Sequence, residues 1–343
     1  MVRMKDVAAL AKVSSATVSY VINNTGHVSG ETEQRVRRAI EELGYRPNRI
    51  AKSLKTKKTN TIGVIVEDIT VFNAPGIIDA INENAEDLGY SIVLSNLRIY
   101  QRIGNDFEDA YSYQKLVERA VGELLEKHVD GIIYVGIHSR DVNGVIGDVQ
   151  CPVVYAYCYS RLQGSHFVTY DDESSAYEVM KYVLTLGHRY IGIITGPAGS
   201  RTVDNRLKGC SRAMERFGVH LNQALIREGD WDYDSGYSRM RELLSQKGLT
   251  AVFAMNDLLA GGAIAACHEM GIAIPQDVSI IGFDDRDCAR LFSPQLTTMA
   301  MPLHDIGLKA MDMVVQLIDG HPVAQPQLAL KGTLIKRQSI LAL

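Results

Sequence analysis

The chain has no uninterrupted apolar run approaching the roughly 18 residues that cross a bilayer as a helix, which excludes a helical membrane protein. Cysteine is sparse. Cys151, Cys158, Cys210, Cys267 and Cys288 are scattered, odd in number and include no Cys-x-x-Cys pair, so neither a disulfide framework nor a zinc site is expected, and they read as reduced core or pocket-wall residues. Catalytic signatures are also missing: Gly-x-x-x-x-Gly-Lys, His-Glu-x-x-His and Gly-x-Ser-x-Gly do not occur. Gly196-Pro197-Ala198-Gly199 lacks the Lys of a phosphate loop, and Asp284 and Asp285 are neighbours whose side chains point apart at a strand end. No catalysis, metal or cofactor is expected. The opening Met1 to Asp6 carries neither the apolar stretch nor the small-residue cleavage site of a secretion signal, so a cytoplasmic protein without membrane contact is expected.

What is present is the composition of a globular protein, 46% hydrophobic and 22% charged over 343 residues, enough for two or three folding units. The net charge of -4 conceals an asymmetry. Residues 1 to 60 hold twelve Lys or Arg against five Asp or Glu, a surplus of seven positive charges, and the remainder carries a net -11. A basic head on an acidic body points to a polyanionic partner; a solvated charged surface is the plainer alternative.

Hydrophobic spacing favours the first reading. Val7, Leu10 and Ala11 mark the inward face of one short helix, with Asp6 at its first turn. Ser14 is placed to cap a second, whose inward face is Val18, Val21 and Ile22. A third follows Ser29-Gly30-Glu31, turns Val36, Ile40 and Leu43 inward and stops at Gly44. Three short helices with a tight turn between the first two describe a helix-turn-helix module rather than a generic hairpin, because the outer face of the second helix, Ser15, Ala16, Ser19 and Tyr20, is small or hydrogen-bonding and free of acid. After Pro47, the segment to Lys58 is basic, with only Ile50, Ala51 and Leu54 apolar. Alone it buries too little to order itself. It is either a flexible charged linker or a helix formed only with DNA and a partner copy.

Met4-Lys5-Asp6-Val7-Ala8, Val13 to Ser19 and Gly44-Tyr45-Arg46-Pro47-Asn48 resemble the head of the LacI/GalR family of transcriptional repressors. The resemblance implies that Ser15, Ala16 and Tyr20 read bases in the major groove and that Thr17, Ser19, Asn23 and His27 lie near phosphates. It makes residues 47 to 60 a hinge helix, with Asn48, Ala51, Leu54 and Lys55 facing DNA and Leu54 wedged into the minor groove. Tyr20 stands where many relatives have Arg or His, so their operator half-sites do not transfer.

From Ile62 the chain alternates apolar runs with amphipathic helices. Ile62 to Val66, Ile92 to Leu94, Gly131 to Val135, Val153 to Tyr155, Ile191 to Thr195, Ala251 to Ala254 and Val278 to Phe283 read as buried parallel strands. Ile77 to Leu88, Ser174 to Leu186 and Leu258 to Met270 read as helices between them. The fold class is α/β: an all-α head, then two doubly wound parallel lobes. The expected divisions are a head over 1–46, a linker over 47–60, a first lobe of 61–159 with about 292–323, and a second of 160–291 with about 324–343. Ligands of such sheets bind beyond the carboxyl ends of strands. Those ends carry Asp68, Asn96, Tyr157, Asn256 and Asp284, each of which could instead cap a helix. With Arg206 and Trp231 they supply a fork, carboxylates and a flat indole face, the groups a sugar needs.

The same family resemblance extends through Leu186-Gly187-His188, Gly196-Pro197, Asn205-Arg206, Gly229-Asp230-Trp231, Asn256-Asp257, Pro275 to Ser279 and Gly282-Phe283-Asp284-Asp285. It implies lobes like those of type I periplasmic binding proteins and makes Arg206, Trp231, Asn256 and Asp284 effector contacts; Asp68, Phe72 and Tyr157 complete the expected set. Tyr157 replaces an Asp common in relatives that bind simple sugars. The stretch between Asn96 and Val129 runs about ten residues longer than usual, as a lid or an ordinary extended helix and loop. The chain is thus expected to be a homodimer, without a tetramerising heptad tail, that binds palindromic double-stranded DNA. A mono- or oligosaccharide is expected to release it; corepression by a nucleoside, nucleobase or sugar phosphate is the alternative, and a sugar-transport receptor a distant one.

Overall fold

The computed structural model describes residues 2–23, 25–45, 58–103, 113–142 and 144–343. It divides into two compact units, Met1–Thr59 and Asn60–Leu343.

The first unit contains α1 (Met4–Ala11), α2 (Ser15–Asn23) and α3 (Gly30–Leu43). Asp6 accepts the Arg3 backbone N–H at 2.8 Å, and Lys12 takes a left-handed conformation that ends α1. Ser14 Oγ then accepts from the Thr17 backbone at 3.1 Å, so termination and capping make the tight turn between them. Val7, Ala8, Ala11, Val18, Val21, Val36, Ala39 and Tyr45 form the core. Leu10, expected inside, is 43% exposed. The buried stripe of α1 is 7-8-11, where alanines let the other helices approach; Ile40 and Leu43 pack only at the margin.

In the second unit, β1 (Thr61–Val66), β2 (Ser91–Asn96), β3 (Gly131–Val135), β4 (Val153–Ala156), β5 (His166–Tyr170) and β11 (Gln327–Leu330) make one parallel sheet in the order β11-β5-β4-β3-β1-β2. A second parallel sheet, β7-β6-β8-β9, joins β6 (Ile191–Thr195), β7 (Ile226–Glu228), β8 (Ala251–Ala254) and β9 (Ser279–Ile281). Antiparallel β10 (Thr298–Ala300) and β12 (Thr333–Ile335) lie where the chain passes between lobes. Helices α4 (Asn73–Asp87), α5 (Ile99–Ile103), α6 (Gln114–Glu126) and α11 (Leu303–Ile318) serve the first lobe. Helices α7 (Asp172–Thr185), α8 (Arg201–Arg216), α9 (Tyr233–Leu244) and α10 (Asp257–Glu269) serve the second.

The crossings differ from those expected. β5 pairs with β4 in the first sheet, so the chain leaves that lobe at Asp171, not near residue 159. The Gly282 and Asp284 N–H groups donate to Thr297 and Met299, which keeps residues 292–301 on the second lobe until α11 begins. β11 returns residues 327–330 to the first sheet, whereas Ser339 ties the last residues to β9. The strand His166–Tyr170, paired on both sides by β4 and β11, is partly polar at its start and lacks the continuous apolar run of its neighbours.

Candidate functional site

Two surfaces deserve description, one on each unit. On α2, Ser15 and Ala16 are exposed, and Thr17 and Ser19 are partly buried. Tyr20 is half exposed, its ring braced by Gly26: a Cβ there would come within 3.3 Å of it, at a φ of +84° that favours glycine. His27 is exposed just beyond. Asn23 ends α2. The expected hinge contacts Asn48, Ala51, Leu54 and Lys55 lie outside the described residues.

On the second unit, the carboxyl ends of both sheets bound a cleft of about 640 Å³, a size suited to a small molecule. Phe72, Tyr157, Arg206, Trp231, Asn256 and Asp284 all line it. Asp68 does not. It is buried, and its carboxylate accepts from the Thr70 backbone and hydroxyl at 3.0 and 2.7 Å, so it shapes the loop that carries Thr70 and Phe72.

The second-lobe wall is built around Arg206. Its Nε donates to Asp172 at 2.7 Å, Nη1 donates to the Met255 carbonyl, Nη2 lies 3.9 Å from Asp284, and the guanidinium stacks 3.7 Å above Phe283. Burial raises the pKa of both Asp172 and Asp284, and the neighbouring arginines oppose that rise. Trp231 sits where Gly196 leaves room, since a Cβ on that glycine would fall 2.0 Å from the indole. Asn256 caps α10 through the Leu259 N–H at 2.8 Å and donates to the Trp231 carbonyl at 2.9 Å, fixing that tryptophan rather than standing free. Tyr157 is buried, and its hydroxyl donates to Met301 Sδ at 3.4 Å.

The sequence reading missed Arg286 and His138, which also line the cleft. Arg286 follows Asp284-Asp285 closely enough to have been noticed; nothing in the pattern marks His138. Desolvation, then Arg140, Arg206 and Arg286, push the His138 imidazole down to about 3, so it is neutral. Behind its loop lies another missed group. Glu67 takes two hydrogen bonds from Arg140 at 2.8 and 2.9 Å, one from Tyr134 at 2.7 Å and one from the Ile137 N–H at 2.7 Å, while Arg140 reaches the Tyr113 hydroxyl at 2.6 Å. This buried pair pins the loop over 137–140.

Residues 3–48 match the bacterial regulatory proteins of the lacI family, and residues 180–340 a periplasmic binding protein-like domain. The transcriptional regulator DegA of Bacillus subtilis is 34% identical over 97% of this chain and 96% of its own. The chain belongs to the LacI family. The repressor PurR of Pasteurella multocida is 33% identical over 99% of both chains. Among solved structures, the Lac repressor dimer bound to operator and the anti-inducer ONPF superposes with a TM-score of 0.79 at 29% identity, covering 99% of each chain. The regulator CelR in complex with cellobiose gives 0.67 at 29% identity, over 99% of this chain and all of that one.

As a LacI-family member, the chain is a DNA-binding transcriptional repressor with a ligand-binding sensor, not an enzyme. Such repressors bind operator DNA, dimerise and bind small-molecule effectors. Among the described residues, no helix is long and apolar enough to cross a membrane.

Proposed function

We propose that this repressor acts in the cytoplasm as a homodimer and leaves a palindromic operator when a small carbohydrate enters the cleft. The observation that carries the effector class is the convergence in one cavity of the Trp231 indole and the Phe72 ring with Asp284 and with Arg206, which Asp172 holds from behind. Flat apolar faces match the C–H faces of a sugar ring, and a carboxylate such as Asp284 can accept from its hydroxyls. The relative solved with cellobiose supports the same class. Ser15, Ala16 and Tyr20 contact bases, Thr17, Ser19, Asn23 and His27 lie by phosphates, and Asn48, Ala51, Leu54 and Lys55 engage the minor groove. Sugar binding acts by differential affinity for two arrangements of the lobes, only one of which supports paired hinges.

The test is operator binding by fluorescence anisotropy, with the duplex selected from a random pool, before and after adding mono- and disaccharides, nucleosides and fractionated cell extract. Release by at least tenfold is expected from a sugar or sugar-containing fraction. Tighter binding would identify a corepressor, and no response to any fraction would remove the effector reading. Affinity should fall steeply with salt, because each copy brings a head with seven surplus positive charges to phosphate. Leu54→Ala should weaken operator binding while preserving the ligand response; unchanged operator affinity would remove the wedge.

A further inference from the structure

One arginine of the cleft, Arg286, lies outside the expected set. Arg286 and Phe72 come from opposite lobes and meet across the cleft, the guanidinium carbon 3.9 Å from the ring centroid. Arg286 Nε donates to Asp284 Oδ2 at 3.1 Å. Among the described residues, no acceptor takes a hydrogen bond from its Nη1 or Nη2. Arg206, by contrast, is consumed by Asp172, the Met255 carbonyl and Phe283.

The two cations therefore have different parts to play. Arg206 is built into the wall, whereas Arg286 lies on an aromatic face that holds its plane and keeps an unused pair of parallel donors. Such a fork fits two oxygens of one carboxylate or phosphate far better than scattered hydroxyls. Asp284 is shared between two arginines, and Arg140 is matched by Glu67 behind the loop. Desolvation holds the His138 imidazole neutral, and Arg140, Arg206 and Arg286 push it the same way. The remaining acids lining the cleft, Asp230 and Asp232, flank Trp231, and Asp232 is occupied in capping α9 through the Ser235 N–H at 2.8 Å.

We propose that the effector is an anionic sugar derivative, a polyhydroxylated ligand whose phosphate ester or carboxylate takes the Nη1/Nη2 fork of Arg286 above Phe72 while its ring lies against Trp231. This rests on the effector reading above and narrows it. Because Phe72 and Arg286 belong to opposite lobes, an anion held there is sensed by both, so charge recognition and lobe closure share one contact.

Isothermal titration of the full-length chain with matched probes tests this: glucose against glucose 6-phosphate, glucose against glucuronate and gluconate, cellobiose, and inorganic phosphate. The wild-type protein should prefer a charged probe over its neutral partner by at least tenfold. Arg286→Gln should erase that preference, and Arg286→Lys, which keeps the charge but not the fork, should retain part of it. The phosphate and carboxylate arms distinguish the two anion types. Circular dichroism confirms that each variant is folded. Equal binding of neutral and charged probes, or a preference that survives Arg286→Gln, overturns the anionic effector while leaving the sugar reading intact. Failure of every charged probe to bind the wild-type chain also overturns it, and the sugar reading is then decided separately by the release assay with cell extract.

Discussion

Single residues in the cleft do different work from what their types announce. Asn256 looks like a ligand contact in sequence, yet its amide serves the α10 terminus and the Trp231 carbonyl. Asp68 likewise spends its carboxylate on Thr70. The indole itself depends on an absent side chain. Gly196→Ala would drive a Cβ to within 2.0 Å of the Trp231 ring, so the ring must move. Overpacking of this kind costs about 1 to 3 kcal/mol. We expect Gly196→Ala to lower the melting temperature by several degrees and to weaken effector binding at least tenfold. Gly147→Ala, where no atom lies within 4 Å of the added carbon, should do neither. The chain has one tryptophan, so its fluorescence reports the displacement directly. An unchanged emission spectrum and ligand affinity in Gly196→Ala would show that Trp231 is not held by this slot.

Elements were legible where their burial is continuous. Ile62–Val66, Gly131–Val135 and Ile191–Thr195 announce themselves as apolar runs because parallel strands are covered on both faces. His166–Tyr170 does not, since it begins with a partly buried His and ends at the interlobe crossing, and that one strand shifted the expected boundary by about a dozen residues. Polar networks are less legible still. Glu67, Arg140, Tyr113 and Tyr134 are far apart in sequence, and only the sheet order brings β1 and β3 together so that they meet. Both charged partners are almost fully buried. Removing one partner of such a pair leaves an uncompensated charge and costs about 3 to 5 kcal/mol. Arg140→Met should therefore destabilise strongly in urea denaturation, and the Glu67→Gln/Arg140→Met double variant should recover part of the loss. Additive losses would show that the pair is not coupled.

At the scale of the whole molecule, stability depends on pH through buried groups of opposite sign, among them Asp257 and His138. Burial, with Asp284 next, raises the Asp257 carboxyl from 3.8 to about 7, while hydrogen bonds from Thr298 and the Arg286 N–H oppose the rise. A raised acid binds its proton more tightly in the folded state. Its stabilising contribution is complete below about pH 4 and is lost as pH climbs through 7, at about 1.4 kcal/mol per pH unit. His138 behaves conversely. Its imidazole falls from 6.5 to about 3, so the unfolded chain binds the extra proton and stability is lost as pH drops below 6.5. Between about pH 4 and 6.5 the contributions of these two groups nearly cancel. Above 6.5 the His138 contribution is complete, and that of Asp257 lowers stability toward pH 7. His138→Gln should uncover the Asp257 slope throughout the acidic range, making the protein more stable at pH 5 than at pH 7, whereas Asp257→Asn should leave stability rising with pH from 4 to 6.5. Melting curves followed by Trp231 fluorescence across pH 4 to 8 measure both. If the two variants keep the pH profile of the wild-type chain, Asp257 and His138 titrate in the folded protein as they do in the unfolded chain.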